Sequence, residues 1–154
     1  MNLSPHFSLA ELTASTTATA RGIDNTLPAD LMANAENTAE MMERIRAHLS
    51  KIAGRDVPIK ITSGYRCTAL NAAVGGKANS DHARAQAVDF CAPAFGTPYE
   101  ICKELAPQIS ALEVGQLIHE FGTWVHVSTR VPDRPANRVI TISAAGTSLG
   151  VQRV

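Results

Sequence analysis

The stretch Ser80-Asp81-His82-Ala83-Arg84-Ala85-Gln86-Ala87-Val88-Asp89 begins with loop-forming residues and ends in a strand pattern. His82 and Asp89 are seven residues apart, and a loop that runs into a strand can turn both side chains towards one point. An imidazole nitrogen and a carboxylate oxygen are both zinc ligands, and a second His from elsewhere would complete a three-ligand site with one open position. The spacing therefore predicts half of a zinc site.

A predicted β-hairpin around Gly122 supplies the other half. If its turn has three residues, Glu120 pairs with Trp124, and His126 projects from the same face of the sheet. A two-residue turn would instead place Glu120 opposite Val125, away from His126, because a one-residue slip changes every facing. We favour the three-residue turn because it keeps the carboxylate and the imidazole within reach of each other.

With that register, His82, Asp89 and His126 are the predicted zinc ligands, and water takes the fourth position. Glu120 is predicted to accept a proton from that water and to pass it to a leaving amine, as a general base and acid. Arg66 follows a tight turn and is predicted to hold a substrate carboxylate in a bidentate contact. The residues thus indicate a zinc hydrolase.

The rest of the chain predicts an α+β domain, with helices packed on one side of a mostly antiparallel sheet. We expect a single domain over residues 1–154, with an N-terminal arm (1–26) and a tail (144–154) at its periphery. Capping boxes and apolar periodicity predict the helices, and β-branched alternation predicts the strands. Predicted helices cover 8–12, 29–52, 68–74 and 97–107, and predicted strands cover 57–62, 87–91, 114–120, 124–128 and 138–143. Residues 13–26 are predicted to form a loop, and the tail after Ala144 is predicted to be poorly ordered.

Composition excludes several classes of function. The chain has 154 residues, 45% of them hydrophobic, and a formal net charge of zero, so nothing indicates a nucleic-acid partner. No apolar run is long enough to span a membrane. The first residues lack the basic and apolar regions of a secretory signal, so synthesis in the cytoplasm is expected. Three cysteines are an odd number without metal-type spacing and are expected to be reduced. We expect a monomer.

The opening stretch closely resembles the Ser-x-His-x-x-Gly-x-Ala-x-Asp signature of the zinc D-Ala-D-Ala carboxypeptidase family, which has the hedgehog/DD-peptidase fold. Ser63-Gly64-Tyr65-Arg66 is similar to the segment that precedes the signature, and residues 116–128 are similar to the family's closing segment. Residues 7–11 and 22–25 resemble the phage and prophage branch in particular. The resemblance spans about residues 5 to 143.

The resemblance implies zinc on His82, Asp89 and His126, an acidic catalyst near the last His, and Arg66 against a peptide carboxylate. It implies a peptidoglycan stem-peptide substrate, cut at a D-amino-acid bond or between L-Ala and D-Glu, and a phage lysis enzyme that reaches the cell wall after release. Two positions depart from the pattern. Ala85 replaces the signature Gly, and Thr123 occupies the place, three residues before the last His, where many relatives have the acidic residue.

One alternative stays open on the sequence alone. A module that binds peptidoglycan, or a structural part of a phage, could retain the zinc site only to stabilise its fold. An intact ligand set argues against complete loss of zinc but does not decide between these roles.

Overall fold

The computed structural model describes all 154 residues, and its elements follow the predicted order closely. The helices are α1 (Leu9–Thr13), α2 (Thr16–Arg21), α3 (Met32–Ala53), α4 (Thr68–Ala73) and α5 (Pro98–Leu105). The strands are β1 (Lys60–Ser63), β2 (Ala87–Cys91), β3 (Gln116–Glu120), β4 (Trp124–Ser128), β5 (Val139–Ser143) and β6 (Gly146–Leu149). Both predicted capping boxes form, at Ser8 and Glu11 before α1 and at Thr97 and Glu100 before α5.

The six strands form one sheet in the order β1-β2-β4-β3-β5-β6. All neighbouring pairs are antiparallel except β3 and β5, which run parallel. The α+β class with a mostly antiparallel sheet is therefore confirmed. None of the helices combines the length and the apolar composition that crossing a bilayer requires.

The hydrophobic core lies between one face of the sheet and the helices. Alternate residues of the strands point into it, as period-2 side-chain geometry dictates, and α3 contributes a buried stripe. These core residues are Val88, Phe90, Leu117, Val125 and Val127 from the sheet and Ala35, Ala39, Met42, Ile45 and Leu49 from α3. The apolar periodicity predicts Ile52 as part of this buried stripe, and that prediction is wrong, because Ile52 is 53% exposed. The opposite face of the sheet is left free for polar groups.

Two regions are more regular than their composition predicts. The Thr- and Ala-rich stretch 13–26 is not all loop, because Ser15 caps the first turn of α2 and Gly22, at φ 64°, ends it. The tail after Ala144 is not poorly ordered either, because β6 pairs with β5 and Gln152 binds Thr141 and Leu149. Local cap residues therefore define α2, whereas pairing with a neighbouring strand orders β6.

The N-terminal arm is tied to the helical layer. Glu43 of α3 accepts hydrogen bonds from the Ser4 hydroxyl and the His6 backbone, and its other oxygen lies 2.8 Å from His6 Nδ1. Further along, Leu12 O accepts the backbone N–H of Tyr65. The arm thereby fixes the segment that follows β1, which borders the polar face of the sheet.

Candidate metal centre

Strand register brings two of the predicted ligands together on the polar face. Asp89 of β2 lies directly opposite His126 of β4, and His126 lies opposite Ile118 of β3. Glu120 pairs with Trp124 across a three-residue turn, so the favoured register is confirmed. Because paired residues project to the same face, Asp89, His126 and Glu120 share one surface.

The third predicted ligand, His82, enters from a 3-10 helix, Asp81–Arg84, that leads into β2. Its Nδ1 lies 2.7 Å from the carbonyl oxygen of Gly64, which can only accept a hydrogen bond. Nδ1 therefore carries the hydrogen, and Nε2 presents its lone pair to the site. Gly64 is needed at this point because a Cβ there would overlap the backbone of Leu12.

The three donor atoms converge. His82 Nε2 lies 3.4 Å from Asp89 Oδ1, and His126 Nδ1 lies 2.9 Å from the same oxygen. All three side chains are buried, and their donor atoms lie within 4.8 Å of one another. Tetrahedral zinc with bonds of about 2.0–2.2 Å sets its donors about 3.3–3.6 Å apart, so the His82–Asp89 distance already suits the ion and the His126–Asp89 distance is about half an ångström short. Two imidazoles and one carboxylate fit zinc in chemistry and in spacing.

The protonation states also suit metal binding. Burial lowers the pKa of His82, which keeps its imidazole neutral. Burial alone would raise the pKa of Asp89, but contacts with the rings of His126 and His82 hold it well below its ordinary value. A neutral imidazole and an ionised carboxylate are the forms that bind a divalent cation.

Glu120 stands beside the three ligands, held by Trp124. The indole N–H of Trp124 donates to Glu120 Oε2 at 2.9 Å, while Oε1 accepts no hydrogen bond from the protein. Burial and the negative charge of Asp89 raise the pKa of Glu120, and His126 opposes this shift. The ring of Trp124 tilts against that of Phe121, with centroids 6.0 Å apart, and its N–H orients the carboxylate.

Arg66 reaches the same surface from the turn after β1. Burial lowers the pKa of its guanidinium, and the negative charges of Asp89 and Glu120 oppose this shift. Arg66 therefore lies close enough to both carboxylates to interact with them. Its backbone N–H donates to His82 O, which ties the turn to the ligand-bearing 3-10 helix. Its Nε is buried without a hydrogen-bond partner in the protein. The structure therefore brings all five predicted site residues together.

The model of the family described as Peptidase M15 matches residues 5–128, which is most of the chain and includes all five of these residues. The chain belongs to the peptidase M15 family. This is the family of zinc D-Ala-D-Ala carboxypeptidase-like peptidases, so the resemblance to the family and its fold are confirmed, whereas the phage and prophage branch stays a prediction. The match ends at residue 128, whereas the resemblance in the sequence extends to about residue 143. No curated protein matches the chain.

The M15 signature position occupied by Ala85 has left-handed backbone geometry, with φ 55°. Ala85 ends the 3-10 helix and reverses the chain into β2, which is why the signature has Gly. A left-handed Ala costs about 1–2 kcal/mol. Ala85 is 1% exposed, and burial of its methyl group in the core stabilises the fold by about 0.8 kcal/mol. Its carbonyl also accepts the Thr38 hydroxyl of α3. Burial of the methyl therefore offsets roughly half of the strain, and the Thr38 hydrogen bond to the backbone holds the turn in this conformation.

Sequence reasoning missed an anchor beneath the metal centre. The Asp81 carboxylate accepts hydrogen bonds from Arg130 Nε at 2.7 Å and from the Ser128 hydroxyl at 2.8 Å. Asp81 begins the 3-10 helix that carries His82, and Ser128 ends the strand that carries His126. The anchor therefore fixes the relative position of two predicted ligands. No motif or spacing in the sequence indicates that Arg130 pairs with Asp81.

Asp81→Asn should lower zinc affinity by about tenfold to a hundredfold, in the range found when outer-shell partners of metal ligands are changed. The amide cannot form a charged pair with Arg130, so His82 would be held less firmly. Competition with a zinc chelator of known affinity measures the effect. Asp133→Asn is the matched control, because Asp133 is fully exposed and lies 3.9 Å from the same arginine. Equal zinc affinity in the two variants would contradict the anchoring role.

Proposed function

We propose that the chain is a zinc-dependent peptidoglycan peptidase that cuts the peptide stem or the cross-link of the bacterial cell wall. One observation carries the proposal: a buried His-Asp-His set with donors within 4.8 Å of one another lies beside a carboxylate, in a chain of the peptidase M15 family. The proposed ligands are His82 through Nε2, Asp89 through Oδ1 and His126 through Nδ1. Zinc bound there would supply a Lewis acid and lower the pKa of a water molecule.

The protein's own part in hydrolysis falls to Glu120. Its free Oε1 would accept the proton of the attacking water and later deliver it to the amine that leaves. Because burial raises the pKa of this carboxyl, Glu120 holds a proton more readily than an exposed Glu does, which suits both transfers. The Trp124 N–H fixes the other oxygen and so keeps Oε1 aimed at the reacting atoms.

Arg66 would bind the substrate. Arg66 lines a cavity beside the site, and its guanidinium lies near Asp89 and Glu120, so its terminal nitrogens would bind a carboxylate of the stem peptide in a bidentate contact. The guanidinium cannot lose its charge under ordinary conditions, so this contact would persist throughout the working pH range. Binding a carboxylate at this point would place the neighbouring peptide bond over the three ligands.

Arg66→Ala should raise KM for stem peptides by about tenfold to a hundredfold, because charge-assisted hydrogen bonds contribute about 1.5–3 kcal/mol. The effect on kcat should be smaller, and zinc content should not change. Arg66→Lys keeps the charge but loses the planar fork, so it should recover only part of the affinity. Steady-state kinetics on synthetic stem peptides checks this, and unchanged KM in the Ala variant would remove Arg66 from the substrate site.

We also propose that the enzyme serves phage lysis, is made in the cytoplasm and acts on the wall after release. Support comes from residues 7–11 and 22–25, which resemble the phage and prophage branch of the family.

The function is tested by incubating purified cell walls with the protein and measuring soluble muropeptides. We expect release that a chelator abolishes and added zinc restores. Zinc binding without any release would instead favour a non-catalytic module that binds the wall and retains the metal for stability.

A further inference from the structure

An open groove runs beside the metal centre, between α2 and β1, the edge strand of the sheet. It consists of two adjoining cavities of about 210 Å³ and about 540 Å³. The two cavities share the lining residues Ala14, Ser15, Thr16 and Thr62. The smaller cavity also reaches Ser63 and Arg66. The groove is therefore continuous with the proposed active site.

The edge of β1 that faces this groove is open. On its inner side β1 pairs with β2, and no hydrogen bond joins the backbone of Lys60–Ser63 to any other element. Thr62, which lines both cavities, is exposed. An edge strand presents a row of unpaired N–H and C=O groups, and extended peptides bind proteins by pairing with such a row.

The lining of the groove suits a peptide with small side chains and free carboxylates. Its residues are mainly Ser, Thr and Ala, neither cavity contains an Asp or a Glu, and the charged residue in the lining is Arg66. Hydroxyl groups can both donate to and accept from a peptide backbone. A basic peptide would find no counter-charge here, whereas an acidic one would find Arg66 at the end nearest the metal centre.

The position of the groove also suits a peptide that extends several residues beyond the bond to be cut. Ser63 of β1 pairs with Asp89, so the groove begins about one strand spacing, or about 4.8 Å, from a predicted ligand. An extended chain covers about 3.3 Å per residue. A peptide with its reactive bond at the metal centre would therefore enter the groove within two or three residues.

We propose that this groove binds the part of the stem peptide that is remote from the cleaved bond. The outer edge of β1 pairs with the peptide backbone, and the hydroxyl side chains of α2 contact it from the other wall. This inference rests on the proposed function, since it takes the peptidoglycan stem as the ligand. It adds a specificity-determining subsite, formed by α2 and the outer edge of β1, that extends from Arg66 away from the metal centre.

The direct test is a nuclear magnetic resonance titration of the zinc-loaded, ¹⁵N-labelled Glu120→Gln protein with a synthetic stem pentapeptide that ends in D-Ala-D-Ala. We expect shifts at the backbone amides of Ile61, Thr62 and Ser63 in β1 and of Thr16 and Thr19 in α2. Shifts confined to the hairpin and the ligand-bearing segments, or no shifts at all, would overturn the subsite.

A pair of variants supplies the control. Thr19→Trp fills the groove from the exposed side of α2, and Thr147→Trp makes the same change on β6, the opposite edge of the sheet. The first should weaken pentapeptide binding by about tenfold, equivalent to the loss of one or two hydrogen bonds, and the second should leave it unchanged. Equal affinity in both variants would overturn the proposal.

The titration tests the subsite separately from the peptidase function, because peptide binding does not require hydrolysis. Shifts in the groove with no hydrolysis by the wild-type protein would support the subsite and reject the peptidase. If the wild-type protein hydrolyses the peptide but the backbone amides of the groove show no shifts, the subsite is rejected and the peptidase function is retained.

Discussion

Glu120→Gln is expected to lower kcat on stem peptides by about 10²–10⁴-fold, the usual contribution of a positioned general acid–base group. Gln has the shape of Glu and can still accept the Trp124 hydrogen bond through its amide oxygen, but it cannot take up a proton at neutral pH. Zinc content should stay at one ion per chain, because Glu120 is not among the three converging donors. Kinetics together with metal analysis of the same preparation measures both quantities.

Trp124→Phe is the matched control for this prediction. It removes the N–H donor to Glu120 and leaves the carboxylate in place, so we expect a loss of kcat much smaller than that of Glu120→Gln. If Glu120→Gln retained near-normal turnover, the base would have to be another group, and the carboxylate beside the ligands would have only an electrostatic role.

His126→Ala is expected to abolish zinc binding at micromolar metal and, with it, all peptidase activity. Loss of one of three protein ligands should exceed the tenfold to hundredfold effect of an outer-shell change. The variant would also leave the buried Asp89 with one imidazole partner fewer. Since an ion that binds only the folded state stabilises it, zinc should raise the Tm of the wild-type protein and leave that of His126→Ala unchanged.

His6→Ala makes the same substitution on the exposed N-terminal arm and should retain full zinc affinity and the zinc-dependent rise in Tm. Circular dichroism would show whether His126→Ala keeps the native fold. A folded His126→Ala protein that bound zinc as tightly as the wild type would exclude His126 from the ligand set.

The convergence of His82, Asp89 and His126 was predictable because its signals are local. His82 and Asp89 lie seven positions apart, and a three-residue turn fixes the register of His126 and Glu120, so short-range rules of strand geometry sufficed. The core stripe of α3 was predictable for the same reason, since a period near 3.6 is visible in the sequence.

The features that escaped prediction depend on contacts between distant parts of the chain. Arg130 meets Asp81 across 49 positions, and no spacing in the sequence relates them. The strand β6 is short and has weak propensity, and pairing with β5 determines its structure. The left-handed backbone of Ala85 was likewise not predictable from the sequence. The contacts that stabilise it come from α3 and the core, which are distant in the chain.

Mass spectrometry of the soluble products from purified cell walls tests the central claim most directly. The account predicts new muropeptides that carry a hydrolysed peptide bond within the stem or cross-link. They should form with the zinc-loaded protein and be absent with a chelator and with Glu120→Gln. Products cut in the glycan strand, or a protein that binds one zinc ion and leaves every peptide bond intact, would contradict it.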